Sequence, residues 1–104
     1  MHQELVSIIT PTYNSSKYLE DTIKSIISQT YENWELLITD DCSTDETVET
    51  IKKYILLDSR IKLYKLEKNS GSALARNNSI KVSKGFFLAF CDSDDLWDKN
   101  KLEN

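Results

Sequence analysis

Residues 86–90 read FFLAF, five apolar residues in succession, and the run stops at the acids Asp92, Asp94 and Asp95. Few folds accommodate such a stretch. It is too short to cross a bilayer. It also lacks the alternation of a strand with one wet face, so it suits a strand buried on both faces of a parallel sheet. The acids at its end then fall in a loop that water and ligands reach. Three carboxylates within four positions repel one another unless a cation sits among them. A divalent metal shared with a phosphate-bearing substrate supplies that cation. A solvated acidic turn ahead of a helix is the plainer alternative.

Two other segments have the same form. Residues 6–10 (VSIIT) read as a β-branched strand running into the loop PTYNSS. Pro11 has no N–H and is expected to end that strand. Residues 34–39 (WELLIT) end in Asp40 and Asp41. Between them, residues 17–29 place Leu19, Ile23, Ile26 and Ile27 on one helical face. Ser43 followed by Glu46 reads as a capping box, so a second helix is expected from about Thr44, with Val48, Ile51 and Ile55 as its stripe. Residues 60–66 alternate and suit a third strand nearer the sheet edge. Residues 73–83 read as a third helix with a weak stripe of Ala73, Leu74, Asn77 and Ile80, ended by Gly85. Residues 97–104 read as the start of a further helix.

The order β-α-β-α-β-α-β predicts an α/β fold: a Rossmann-like three-layer α/β/α arrangement on a mainly parallel four-stranded sheet with right-handed crossovers. Open sheets of this kind bind ligands beyond the carboxyl ends of their strands. The loops PTYN, DDCSTD and DSDD follow strands one, two and four, so they are expected to meet on that edge.

Composition narrows the chemistry. A chain of 104 residues makes one domain. Net charge is −4, and residues 40–46 and 92–98 each hold four of the 17 acids, so the negative charge gathers at two strand ends. With no basic stripe, the chain is not expected to bind nucleic acid. Only Gly71 and Gly85 are present, which excludes GxGxxG and the Walker loop. The one histidine, His2, stands near the amino terminus, so a Ser-His-Asp triad has no base. Cys42 and Cys91 form no CxxC and leave a zinc site without ligands. With no export signal in the first residues, they are expected to be free thiols of a cytoplasmic protein. What remains is carboxylates, hydroxyls, amides, Tyr13 and Arg76. That set suits Mg²⁺ or Mn²⁺ chemistry on a phosphorylated substrate.

Four ordered blocks, VSIITPTYN, QTYENWELLITDDCSTDET, NSGSALARN and GFFLAFCDSDDLW, together resemble the amino-terminal half of family 2 glycosyltransferases with the GT-A fold. The resemblance covers nearly the whole chain. It implies a nucleotide-diphospho-sugar donor, usually a uridine one, a carbohydrate or lipid-linked acceptor, and transfer with inversion. It also implies nucleotide contacts from Pro11, Tyr13, Asp41, Arg76, Asp92 and Ser93. Tyr13 and Asp41 would flank the base, Asp92 would lie near the ribose, and Asp94 of the DxD would ligate a divalent cation, Mn²⁺ or Mg²⁺, that bridges the phosphates. Asp95 would stand behind them. The plainer alternatives are a Tyr13 packed on the first helix, an Asp41 capping beside Ser43, and a surface ion pair for Arg76. A metal-dependent phosphoryl-transfer enzyme or hydrolase would use the same acids, and a non-enzymatic nucleotide-binding module would need only the nucleoside contacts.

Cys42 and Ser79 stand where the family often has glycine. The first is expected to alter a turn and the second to matter little. Family members continue for a hundred residues or more past the DxD, into the acceptor site and the carboxylate that acts as general base. The chain is therefore expected to be a donor-binding half with no catalytic base of its own. It is also expected to leave core surface uncovered, with a homodimer as one remedy, and to lie at the inner face of the membrane in a longer protein.

Overall fold

The computed structural model describes residues 4–103; His2 and Asn104 lie outside them. Four strands, β1 (Val6–Thr12), β2 (Trp34–Asp40), β3 (Ile61–Lys65) and β4 (Phe87–Phe90), alternate with the helices α1 (Ser16–Ile27), α2 (Thr47–Leu57) and α3 (Ser72–Val82). All strand pairs are parallel, in the order β3-β2-β1-β4. The expected α/β sheet is therefore present, with the two strands richest in β-branched residues at its centre. Both are buried along their whole length.

Side chains alternate across a strand. One face carries Val6, Ile8, Trp34, Leu36, Ile38 and Ile61, which pack with Leu19, Ile23 and Ile26 of α1 and with Ile51 and Tyr54 of α2. Each fully buried Ile or Leu contributes roughly 1.5–3 kcal/mol, so most of the apolar stabilisation lies on this side. The opposite face is covered by α3 through small and polar groups. Ser79 Oγ lies 2.7 Å from Thr39 Oγ1 and donates to the Leu37 carbonyl at 3.0 Å.

Several expectations are corrected. Pro11 does not end β1; it sits inside the strand, opposite Thr39. The Thr12 carbonyl accepts the Asp41 N–H on the β2 flank, and the Ile9 carbonyl accepts the Cys91 N–H on the β4 flank. Pro11 therefore presents its missing donor toward β4, whose pairing with β1 has stopped at Ile9. Helix α2 starts at Thr47, because Ser43 does not cap it. Ser43 instead gives both its N–H and its hydroxyl to Asp40, at 2.8 and 2.6 Å. The buried face of α3 is Ala75 and Ser79, while Ala73, Leu74 and Asn77 are exposed. Small side chains let this helix lie close on the sheet, so its packing leaves no apolar stripe to find.

Gly85 does not close α3, which ends at Val82. Its backbone presses against β1: a Cβ there would fall 2.5 Å from Ser7 Oγ and 2.6 Å from Ser7 N. Strand β4 is not buried on both faces. It forms the margin of the described sheet, with Phe87, Leu88 and Phe90 all about half exposed. The expected uncovered apolar surface is present there, extended by Phe86 and Leu96. Past the acidic loop the chain makes a single 3₁₀ turn, Lys101–Glu103, in place of the expected α-helix start. Among the described residues no helix is long and apolar enough to cross a membrane, and Cys42 and Cys91 are free thiols.

Candidate functional site

The loops that follow β1, β2 and β4 meet at the carboxyl edge of the sheet and are tied to one another. Asn14 adopts a left-handed φ of 47°, which asparagine tolerates. That turn aims its N–H at Ser43 Oγ (2.9 Å) and its Oδ1 at the Thr44 N–H (2.8 Å). Ser15 N–H donates to Thr47 Oγ1 at 2.8 Å, and Ser15 Oγ donates to Ser93 Oγ at 2.9 Å. Asp45 accepts from Ser16 and Thr47. Asp45 is exposed, and what desolvation it meets works against ionisation, but the hydrogen bonds from Thr47 and Ser16 outweigh it and hold its carboxyl at about 2.

A cleft of about 470 Å³ opens between these loops and the start of α3. Pro11, Tyr13, Asp41, Arg76, Asp92, Ser93 and Asp94, the residues singled out from the sequence, all line it. Tyr13 lines the cleft and is 51% exposed, so its ring is not packed away on α1. Asp41 is buried and does not cap α2. Its Oδ1 accepts the Ser70 N–H at 2.6 Å and its Oδ2 the Gly71 N–H at 2.8 Å, which holds the loop before α3 against β2. Each oxygen keeps a second lone pair. Arg76 crosses from α3 to the acidic loop, with its Nη2 3.8 Å from Asp92 Oδ1. Both groups are substantially exposed, so the pair is weak and easily parted.

The acidic loop is a tight turn. Asp92 N–H donates to Asp95 Oδ2 at 2.9 Å, and Asp95 N–H donates to the Asp92 carbonyl at 3.0 Å. Asp95 thus shapes the turn from within. Cys91, at its root, is fully buried. Burial, followed by the charges of Asp95 and Asp92, pushes its thiol up to about 12, so it stays protonated. Asp94 is exposed, and no described residue gives its carboxylate a hydrogen bond or an ion pair.

The described residues contain no group of three or more acids, histidines or cysteines able to hold a metal by themselves. They do offer hard oxygen donors, Asp94 free and Asp92 loosely paired, beside an open cleft. This donor set fits a hard divalent cation only if a ligand's own oxygens and water complete its shell. Thr12, Asn14, Ser15, Tyr18 and Ser72 also line the cleft and were not anticipated. Tyr18 follows from helical spacing once α1 is known to point its amino end at the cleft. The others give no periodic or compositional signal.

Comparison with known proteins places this architecture. The family model described as "Glycosyl transferase family 2" matches residues 7–104. WfgD of Escherichia coli, a UDP-Glc:alpha-D-GlcNAc-diphosphoundecaprenol beta-1,3-glucosyltransferase, is 48% identical over 99% of this chain and 40% of its own length. Crystal structures of S. aureus TarS 1-349 in complex with UDP align at a TM-score of 0.89 and 39% identity, over 94% of this chain and 30% of that one. The mannosyltransferase PcManGT from Pyrobaculum calidifontis, in complex with GDP-Man and Mn²⁺, aligns at a TM-score of 0.93 and 26% identity, over 100% of this chain and 32% of that one. This chain thus spans about two fifths of the curated relative and about a third of each solved neighbour. The fold is that of the GT-A glycosyltransferases. With the strand order, the convergent loops and the family match over residues 7–104 all in agreement, the chain belongs to glycosyl transferase family 2.

Proposed function

We propose that these residues form the donor-binding part of a metal-dependent, inverting glycosyltransferase that takes a UDP-sugar. The observation that carries this is the single cleft in which an exposed tyrosine, an amide-anchored carboxylate and an unpartnered acid stand together. Tyr13 offers an aromatic face on which a base stacks. The spare lone pairs of Asp41 accept an N–H from the uracil edge, and the backbone amides of Ser70 and Gly71 keep that carboxylate aimed. Asp92 and Ser93 stand where the ribose passes, and Arg76 is close enough to Asp92 to offset its charge.

The donor's diphosphate is anionic and so is this edge of the protein, so direct contact would be repulsive. Asp94, with Asp92 beside it, would hold Mn²⁺ or Mg²⁺. When bound, the ion neutralises the departing diphosphate as a Lewis acid. The binding of UDP by TarS and of Mn²⁺ by PcManGT supports this assignment. The acids of this cleft all have other work: Asp41 holds two amides, Asp92 stands by the ribose and Asp94 faces the diphosphate, while Asp95 behind them closes its own turn. The base that deprotonates the acceptor hydroxyl is therefore placed outside these residues. A lipid-linked sugar, of the kind named for WfgD, is the proposed acceptor.

Titration with UDP, in Mn²⁺ and in chelator, tests the proposal. Asp94→Ala is expected to abolish the metal-dependent part of the affinity and to leave a metal-independent uridine affinity through Tyr13 and Asp41. Asp98→Ala, exposed and further along the same segment, is expected to change little. Full metal-dependent affinity in Asp94→Ala would reduce the cluster to an acidic turn and sink the metal assignment.

A further inference from the structure

Helix α1 carries a second stripe besides its apolar one. Thr22, Ser25 and Gln29, at i, i+3 and i+7 in and just beyond the helix, all reach the backbone of the segment that contains the acidic turn. Thr22 Oγ1 donates to the Ser93 carbonyl at 2.9 Å. Ser25 Oγ accepts the Trp97 N–H at 3.1 Å and donates to the Thr22 carbonyl at 2.7 Å. Gln29 Nε2 donates to the Asp98 carbonyl at 2.7 Å, and its Oε1 accepts the Leu102 N–H at 3.1 Å. Thr22 and Gln29 are buried although both are polar.

The side chains on α1 serve a purpose that apolar ones cannot. Residues 92–98 lie in neither helix nor strand, so their N–H and C=O groups lack a ladder to pair with. Apolar packing would hold such a segment close without fixing its orientation. Hydrogen bonds to successive backbone groups fix both. The first of them grips Ser93, the residue between Asp92 and Asp94, and Ser15 holds the Ser93 hydroxyl from the other side. A metal-binding carboxylate is useful only where its oxygens meet the ion at bonding distance, so the rigidity of this one peptide matters most.

We propose that Thr22, Ser25 and Gln29 are positioning residues that set the aim of Asp92 and Asp94, with Thr22 the principal one. The proposal rests on the donor-binding function above. Thr22→Val removes the hydroxyl at nearly constant shape, and Thr22→Ser retains it. For each variant, UDP affinity in Mn²⁺, uridine affinity in chelator and thermal unfolding are measured. Thr22→Val is expected to weaken UDP binding in Mn²⁺ about tenfold, the loss of one buried hydrogen bond. Its uridine affinity should fall much less, since Tyr13 and Asp41 lie on other loops and only the ribose contacts of Asp92 and Ser93 share this peptide, and Thr22→Ser should recover most of the loss. Should Thr22→Val not fold, Ser25→Ala takes its place, with a smaller expected loss in the same arm only. Parent-like UDP affinity in a folded variant, or equal losses in both arms, would overturn the positioning role while leaving donor binding intact. Absence of Mn²⁺-dependent UDP binding in the parent protein would remove the donor function, and this proposal with it.

Discussion

Asp41 has a structural task besides the base contact proposed for it, and that constrains how its role can be tested. As a buried carboxylate it accepts one backbone N–H on each oxygen. Asp41→Asn turns an NH₂ toward one of those amides and leaves a buried donor unpaired. The substitution is expected to cost about 1–3 kcal/mol of stability, readable by urea denaturation, together with affinity for every nucleotide. Tyr13→Ala is the cleaner probe. With an exposed ring it should leave stability within about 0.5 kcal/mol and weaken uridine by on the order of 1–3 kcal/mol of stacking. Unchanged uridine affinity in a folded Tyr13→Ala would remove Tyr13 from the base site. Tyr13, Asp41, Asp92 and Asp94 carry a chemical signature, an acid past an apolar run or an aromatic after a strand, whereas Pro11, Arg76 and Ser93 rest on the family resemblance; all seven line the cleft. Asn14 and Ser15 escaped because their importance lies in a left-handed φ and in backbone bonds to other loops. The burial of the Ser79 hydroxyl against the backbone of β2 is hidden for the same kind of reason.

Among the elements, strands were legible and helix ends were not. Runs of β-branched and aliphatic residues mark β1 and β2 wherever they fall, and burial on both faces follows from their central place. The start of α2 was displaced because Ser43 had two sets of possible partners, and Asp40 at the end of β2 together with Asn14 of the loop after β1 won over a local cap. The half-exposure of β4 is a property of strand order, which residues 86–90 do not encode. Below the sheet the turn into β4 is held just as tightly. Glu35 accepts from Ser7 Oγ and from the Lys84 N–H, while Gly85 N–H donates to Ser7 Oγ. Gly85→Ala would drive a Cβ into the backbone of β1. It is expected to destabilise the protein by roughly 1–3 kcal/mol, seen as a lower urea midpoint, and the shift of β4 should loosen the acidic turn above it. A midpoint equal to that of the parent would show that this turn has slack.

At the level of the whole molecule, the proposed donor-binding residues of four separate segments line one cleft. The 104-residue chain is expected to bind UDP without transferring sugar, which product analysis after incubation with UDP-sugar and a lipid-linked acceptor would check. Robust transfer would place the base among these residues. The sheet also has a history implied by its order. Strands β1 and β2 pair residues 28 apart in sequence, as Val6 with Trp34, whereas β4 returns to β1 across 81 residues, as Val6 with Phe87. Closing the longer loop costs roughly 1 kcal/mol more entropy, and β4 brings less buried surface to offset it. We therefore expect the chain to acquire its halves in sequence, with the loops that carry Tyr13 and Asp41 formed early and the acidic turn docking late. Mutations in β4 should then speed unfolding and leave the folding rate nearly unchanged, while those in β1 and β2 slow folding; the reverse pattern in stopped-flow kinetics would refute this order. A chain with β1, β2 and the start of α3 in place but β4 still undocked would already hold Tyr13 and its anchored Asp41, while Asp92 and Asp94 would still ride on loose chain.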